Sequence, residues 1–281
     1  MKKYLPVLVL LIAMLSCKSN KKNIAQDSVT NITATNTSNS LIDRFKPIIQ
    51  GAWVKADYIE KVIRTKSPAA SEDLATGITC FYINTDLIKD DSLVFMAGYG
   101  NHEGGNVSLR FKPGKIPSSI CLADGYLTYS VTNGDTSLFF TQYHIKTHQP
   151  IVTKYKRALI KQPNDNLAYG MNYLVNKGLI AGTYLCIDSL GHQSTVRFTN
   201  EGKVESFENF KSFAISTDIG GEPRNNLDGI VFEYKDVNKG NKFFTYKINA
   251  DTLKIFDVYA NADSTEDMVG NLKYKLVRQK K

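Results

Sequence analysis

The chain has 281 residues, of which 42% are hydrophobic and 22% charged, and its formal net charge is +8. This length suffices for two ordinary domains, and 15 Tyr and 14 Phe supply ample core material. Basic residues are scattered apart from clusters at 154–161 and 273–281; neither is interleaved with stacking aromatics as in a nucleic-acid module, so no nucleic-acid partner is expected.

The chain opens "MKKYLPVLVLLIAMLSCKSN". Lys2 and Lys3 form a positive n-region, Leu5 to Leu15 an apolar h-region, and small Ser16 precedes Cys17. Residues 1–16 are therefore expected to be a signal peptide, because the apolar run is about half the ~20 residues a bilayer-crossing helix needs. A Cys directly after the small residue resembles the bacterial lipobox, although Met14 and Leu15 depart from its usual upstream residues. The resemblance implies a lipoprotein whose Cys17 carries acyl chains such as palmitate and tethers it to a membrane. The alternative is an ordinary signal peptide with a bystander Cys. No acidic residue closely follows Cys17, and the expected location is the bacterial cell envelope, on the periplasm-facing side of the outer membrane. Removal of Lys2 and Lys3 with the signal lowers the net charge from +8 to +6.

Residues 17–40 are rich in Ser, Thr, Asn and Lys and poor in large apolar residues, which predicts a disordered tether reaching about 25–30 Å. Its first lysines suit an anionic lipid surface or simply a solvated linker. Two stretches read as helical, residues 40–49 and 165–180. The rest reads as β: short alternating runs such as "LVFMAGY", "GIVFEYK" and "TLKIFDVY" are separated by Gly, Asn and Asp turns. Cys80 and Cys121 are candidates for a disulfide, or equally for two buried small hydrophobes, and Cys186 reads as a buried free thiol.

Several features occur twice in the same order. "YLTYSVTNGDTSLFF" at 126–140 matches "FFTYKINADTLKIF" at 243–256, with Tyr129 set on Tyr246 and Asp135 on Asp251. Each helical stretch leads into Gly-x-aromatic, Gly51-x-Trp53 and Gly182-x-Tyr184, and each half closes on a Tyr-Lys strand with Arg157 or Arg278. The order predicts a duplicated domain, with residues 41–160 forming one body, 161–178 a linker with a short helix, and 179–281 the second body. This pattern resembles the lipocalin-like (calycin-type) domains of lipoproteins from Bacteroidetes-type bacteria. The resemblance implies two tandem up-and-down antiparallel β-barrels, each preceded by a short helix and closed by a basic residue returning to the aromatic of Gly-x-aromatic. Tyr184 departs from the family's tryptophan. Two β-sandwiches are the alternative.

The resemblance also implies a small apolar or amphipathic ligand inside a barrel, for which Tyr129 and Tyr246 are the candidate lining residues. The competing reading is that bulky inward side chains fill the barrels, so that outer surfaces contact a protein or a glycan. No catalytic, cofactor or metal site is expected. "GYGNHEGG" at 98–105 lacks the third glycine of a dinucleotide loop and leads into a strand-like run. His144 and His148 lie on a strand running into a turn, about 13 Å apart if extended, too far to share a metal.

Overall fold

Alternating apolar and polar residues commit most of the chain to antiparallel strands, and a strand sheet left open exposes unpaired backbone groups at its edges. The computed structural model describes residues 38–188, 191–218 and 227–280. The predicted signal peptide, Cys17 and nearly all of the predicted tether lie outside these residues. Among the described residues no helix is long and apolar enough to cross a membrane.

Both barrels lie within one compact unit, Asn36–Lys281. The first contains β1 (Gly51–Lys55), β2 (Ile78–Ile83), β3 (Ser92–Tyr99), β4 (Glu103–Pro113), β5 (Ile120–Leu122), β6 (Gly125–Thr132), β7 (Asp135–Tyr143) and β8 (Pro150–Leu159). Each strand pairs antiparallel with the next, and β8 returns to β1 with Arg157 opposite Trp53, closing the barrel. The second contains β9 (Gly182–Asp188), β10 (Gln193–Phe198), β11 (Val204–Glu205), β12 (Phe210–Ile215), β13 (Gly229–Tyr234), β14 (Asn241–Asn249), β15 (Thr252–Ala260) and β16 (Asp267–Arg278). Here β16 returns to β9 with Arg278 opposite Tyr184. The remaining seam, between β11 and β12, is spanned by the Lys203–Ser212 bridge and by Phe213 N–H donating to Gly202 O at 2.7 Å. The architecture is all-β, with one closed barrel and one nearly closed barrel in tandem, rather than two sandwiches.

A short helix precedes each barrel. α1 (Ser38–Ile49) begins inside the segment assigned to the tether and buries Leu41, Phe45 and Ile49 at four-residue spacing in the core of barrel 1. A second helix, α2 (Ala56–Thr65), follows β1 and was not expected from the sequence. α3 (Tyr169–Leu179) buries Met171, Val175 and Leu179 against barrel 2; the expected helix over 165–180 is shorter, because Asn164 and Asn166 side chains accept backbone N–H groups in the turn before it.

The twice-written hairpin occupies the same place in each barrel: Tyr129 lies on the sixth strand, β6, and Tyr246 on the sixth strand of the second set, β14. The expected match of Asp135 with Asp251 is out of register by one residue. Thr132 pairs with Asp135 across Asn133-Gly134, whereas Asn249 pairs with Thr252 across Ala250-Asp251. Asp251 therefore corresponds to Gly134. Asn133 and Gly134 both have positive φ (53° and 84°), the signature of a type I′ turn, whereas Ala250 supplies the positive φ (48°) in the second hairpin.

The two motif glycines are required for different reasons. A Cβ on Gly51, at φ 126°, would meet the Leu159 backbone oxygen at 2.3 Å, whereas one on Gly182, at φ 150°, would meet the movable Arg278 Nη1 at 2.5 Å. Backbone strain of about 1–3 kcal/mol is expected for either alanine. Gly51→Ala is expected to cost more than Gly182→Ala in denaturant unfolding, because a backbone carbonyl in a closed barrel cannot step aside; equal losses would count against this closure geometry.

Candidate functional site

The last carbonyls of a helix lack intrahelical donors and need partners. In barrel 1 the Trp53 indole N–H donates to Ile49 O at 2.8 Å, and Arg157 Nη2 donates to Ile48 O. In barrel 2 the Tyr184 hydroxyl donates to Ile180 O at 2.7 Å, while Arg278 donates to Leu179 O at 3.0 Å and Ala181 O at 2.6 Å. Each guanidinium also stands over its aromatic ring, Arg157 at 4.7 Å from the Trp53 ring centre and Arg278 at 4.8 Å from that of Tyr184. Such stacking is worth roughly 0.5–2 kcal/mol, depending on desolvation. Gly51, Trp53 and Arg157 thus form one knot and Gly182, Tyr184 and Arg278 another, each tying first strand, last strand and helix end together. Burial pushes the Tyr184 hydroxyl up to about 12 despite the adjacent Arg278 charge; it stays a neutral donor.

The barrel interiors are occupied by side chains. In barrel 1, Phe81 lies 5.4 Å from Phe95 and 4.9 Å from Tyr155, whose hydroxyl donates to Ile78 O at 3.0 Å. Lys55, which no motif in the sequence singles out, is buried at the end of β1 and donates to Leu74 O and Thr76 O at 2.9 and 3.2 Å. In barrel 2, Phe198, Phe207, Phe210, Phe213, Phe232, Phe244 and Tyr274 form one cluster of edge-on and tilted contacts, with neighbouring ring centres 4.7–6.5 Å apart. Contacts of this kind add about 0.5–1.5 kcal/mol per pair beyond area burial. Tyr129 meets Phe45 of α1 edge-on at 5.3 Å, at the mouth of barrel 1. Two residues further on, Val131 is 55% exposed, so the inward-facing row of β6 ends at Tyr129. Tyr246 is fully buried in one cluster with Tyr58, Ile59 and Val62 of α2, which cover barrel 2 beside α3.

This places α3 between the barrels. A Cβ on Gly170 would fall 2.7 Å from the Ala52 Cβ, and one on Gly178 would fall 2.5 Å from Ile63 Cγ1. Both glycines let α3 approach the outer wall of barrel 1 and α2. Polar ties surround the contact: Ala69 N–H donates to Asp228 Oδ1 at 3.0 Å, Asn101 Nδ2 to Thr217 O at 3.2 Å, and His102 Nδ1 lies 3.0 Å from the Asp218 carboxylate. Burial raises the Asp228 carboxyl above the usual carboxylate range, partly offset by hydrogen bonds from Ser67 and Ala69. Hydrogen bonding to Asp218 raises His102.

The candidate disulfide does not form: Cys80, Cys121 and Cys186 are all free thiols. Cys80 on β2 and Cys121 on β5 are separated by β3 and β4. Cys80 is level with Gly98 and Gly104, whereas Cys121 lies opposite Arg110; that offset along β4, at ~3.3 Å per residue, alone separates them by about 20 Å, beyond the ~7 Å Cα limit for a bridge. Cys80 and Cys186 are buried, and burial pushes each thiol up to about 11, far from a reactive thiolate. Residues 98–105 form the β3–β4 hairpin. His144 Nδ1 is engaged by Thr147 at 3.1 Å, and among the described residues no three His, Cys, Asp or Glu side chains gather as metal ligands.

The outer surface carries the concavities. A groove of about 700 Å³ runs between α2, the β6–β7 hairpin and β8, and a smaller one of about 180 Å³ lies at the barrel junction beside Asn101 and Met171. No protein-family model matches the chain, and no characterised protein matches its sequence.

The buried Asp228 gives a pH test. Its native pKa lies above the ordinary 3.8, so its ionisation costs the folded state stability as pH rises from 3.8 through the native value. Asp228→Asn keeps an acceptor for Ala69 N–H and is expected to melt higher than wild type at pH 7. The advantage should vanish as pH falls toward 3.8; a lower melting temperature at neutral pH would show that the charge is compensated.

Proposed function

We propose that the protein is a lipid-anchored envelope lipoprotein whose two filled barrels resemble lipocalin-like domains but act non-catalytically through their outer surfaces, as an interaction module. The observation that carries this reading is the packing of rings inside both barrels, with Phe81, Phe95 and Tyr155 in one and a cluster of seven aromatics in the other. A small barrel has room either for such side chains or for one ligand. The lipobox-like Ser16-Cys17 supports the anchor, and the tether-like composition that follows supports a body held near the membrane but free to turn.

Two outcomes test this. Cys17→Ala is expected to release the chain from the membrane fraction, since the acyl chains alone hold it there; a variant that still pellets after a high-salt wash contradicts the anchor. Native mass spectrometry of the protein purified from its host is expected to show no stoichiometric apolar ligand. A retained ligand, lost on enlarging the side chain at Ala97 inside barrel 1, would restore the ligand-carrier reading.

A further inference from the structure

The two closure arginines are not equivalent. Arg278 donates from both terminal nitrogens, to Leu179 O at the end of α3 and to Ala181 O just past it. Among the described residues Arg157 donates only from Nη2, and its buried Nε has no partner. Arg157 also lines the 700 Å³ groove on the outside of barrel 1, beside Lys154 and Lys156 of β8. Neither lysine has an ion-pair partner among the described residues.

The rest of the lining is rich in hydroxyls. Ser130 and Ser137 are direct cross-strand partners in the groove, with Thr132, Thr136 and Asn133 toward the hairpin tip. Two carboxylates, Glu60 and Asp135, also line it. A bare polyanion would be repelled by those carboxylates, and a hydrocarbon chain would strand the hydroxyls and charges. A polyol carrying an oxyanion suits both: its hydroxyls donate to Glu60 and Asp135 and exchange hydrogen bonds with the serines and threonines, while the oxyanion meets the cations. The volume falls in the ~300–1,000 Å³ range of ligand pockets.

The second barrel supplies the contrast. Its groove beside Arg278 and the corresponding hairpin is only about 210 Å³, with Lys66 and residues 177–179 lining it. The places of Ser130 and Ser137 are taken by the cross-strand pair Lys247 and Lys254. The geometry points to the outer groove of barrel 1 as a binding site for an acidic oligosaccharide, with Lys154 and Lys156 receiving its oxyanion. This inference deepens the surface-interaction reading and rests on it for placing the ligand outside the barrel.

The test is titration calorimetry of the full chain in detergent with two probes, sialyllactose and a galacturonic acid disaccharide, and with neutral lactose as their counterpart. At least one acidic probe is expected to bind saturably, and about tenfold more tightly than lactose. Lys154→Gln with Lys156→Gln should weaken that binding about tenfold, whereas Lys247→Gln with Lys254→Gln should leave it within about twofold, as remote exposed charges do. Unchanged circular dichroism confirms that both double variants are folded. The site is overturned if neither acidic probe binds, if lactose binds as well, or if the two lysine pairs matter alike. An apolar ligand found in the barrels by native mass spectrometry would instead overturn the surface-interaction reading while leaving this lysine comparison to be judged by itself.

Discussion

The constraint on which this structure depends is the need to satisfy the final carbonyls of a helix that ends inside a barrel mouth. Those groups have no donors within the helix and, once covered, no water. The chain answers with two side chains from the two strands that must meet. An aromatic on the first strand donates an N–H or O–H, and an arginine on the last strand donates while stacking on the ring. Helix docking and barrel closure are thereby one event. The glycine two residues before the aromatic belongs to the same device, because backbone or guanidinium occupies the space a side chain would need.

The same device explains what the duplicated halves keep and what they vary. Tryptophan and tyrosine differ in shape, yet the Trp53 indole and the Tyr184 hydroxyl reach equivalent helix-end carbonyls at nearly equal distances. Spacing is also free to vary. Tyr155 pairs with Lys55, while on β16 Leu276, two residues past Tyr274, pairs with Cys186 in the corresponding place. The last strand has slid by two residues, which preserves its inward and outward faces, and the arginine has moved with it to stay opposite the aromatic. What differs most is α2, an insertion in the first half that packs with the core of the second. The junction is therefore asymmetric even though the barrels are repeats.

Local features were legible in the sequence. Strand alternation, the Gly-x-aromatic heads and the returning arginines each concern a few neighbouring residues or a period of two. α2 was missed, although Tyr58, Ile59, Val62 and Ile63 fall at helical spacing, because a ten-residue run directly after a strand was read with the strand. The Asp135–Asp251 match failed because identical residues sat one step apart in turns of different backbone shape. Other features depend on distant pairings that no local pattern encodes: the separation of Cys80 from Cys121, the ring cluster of barrel 2, and the placement of Tyr246 under α2. The groove beside Arg157 is of this kind too, since its walls come from β6, β7, β8 and α2.

In the proposed reading, the filled interiors leave recognition to the outer walls, with the barrels as scaffolds for hairpin tips and grooves. The measurement closest to the central claim is a double-mutant cycle in denaturant unfolding of the full chain, combining Arg157→Met with Trp53→Phe. The first keeps the bulk of the arginine stem; the second keeps a ring but removes the indole donor and much of the cation-binding face. A coupling energy of about 0.5–2 kcal/mol is predicted, because each partner positions the other at the helix end. Additive losses, with coupling indistinguishable from zero, would contradict the account of the knot as a single closing interaction.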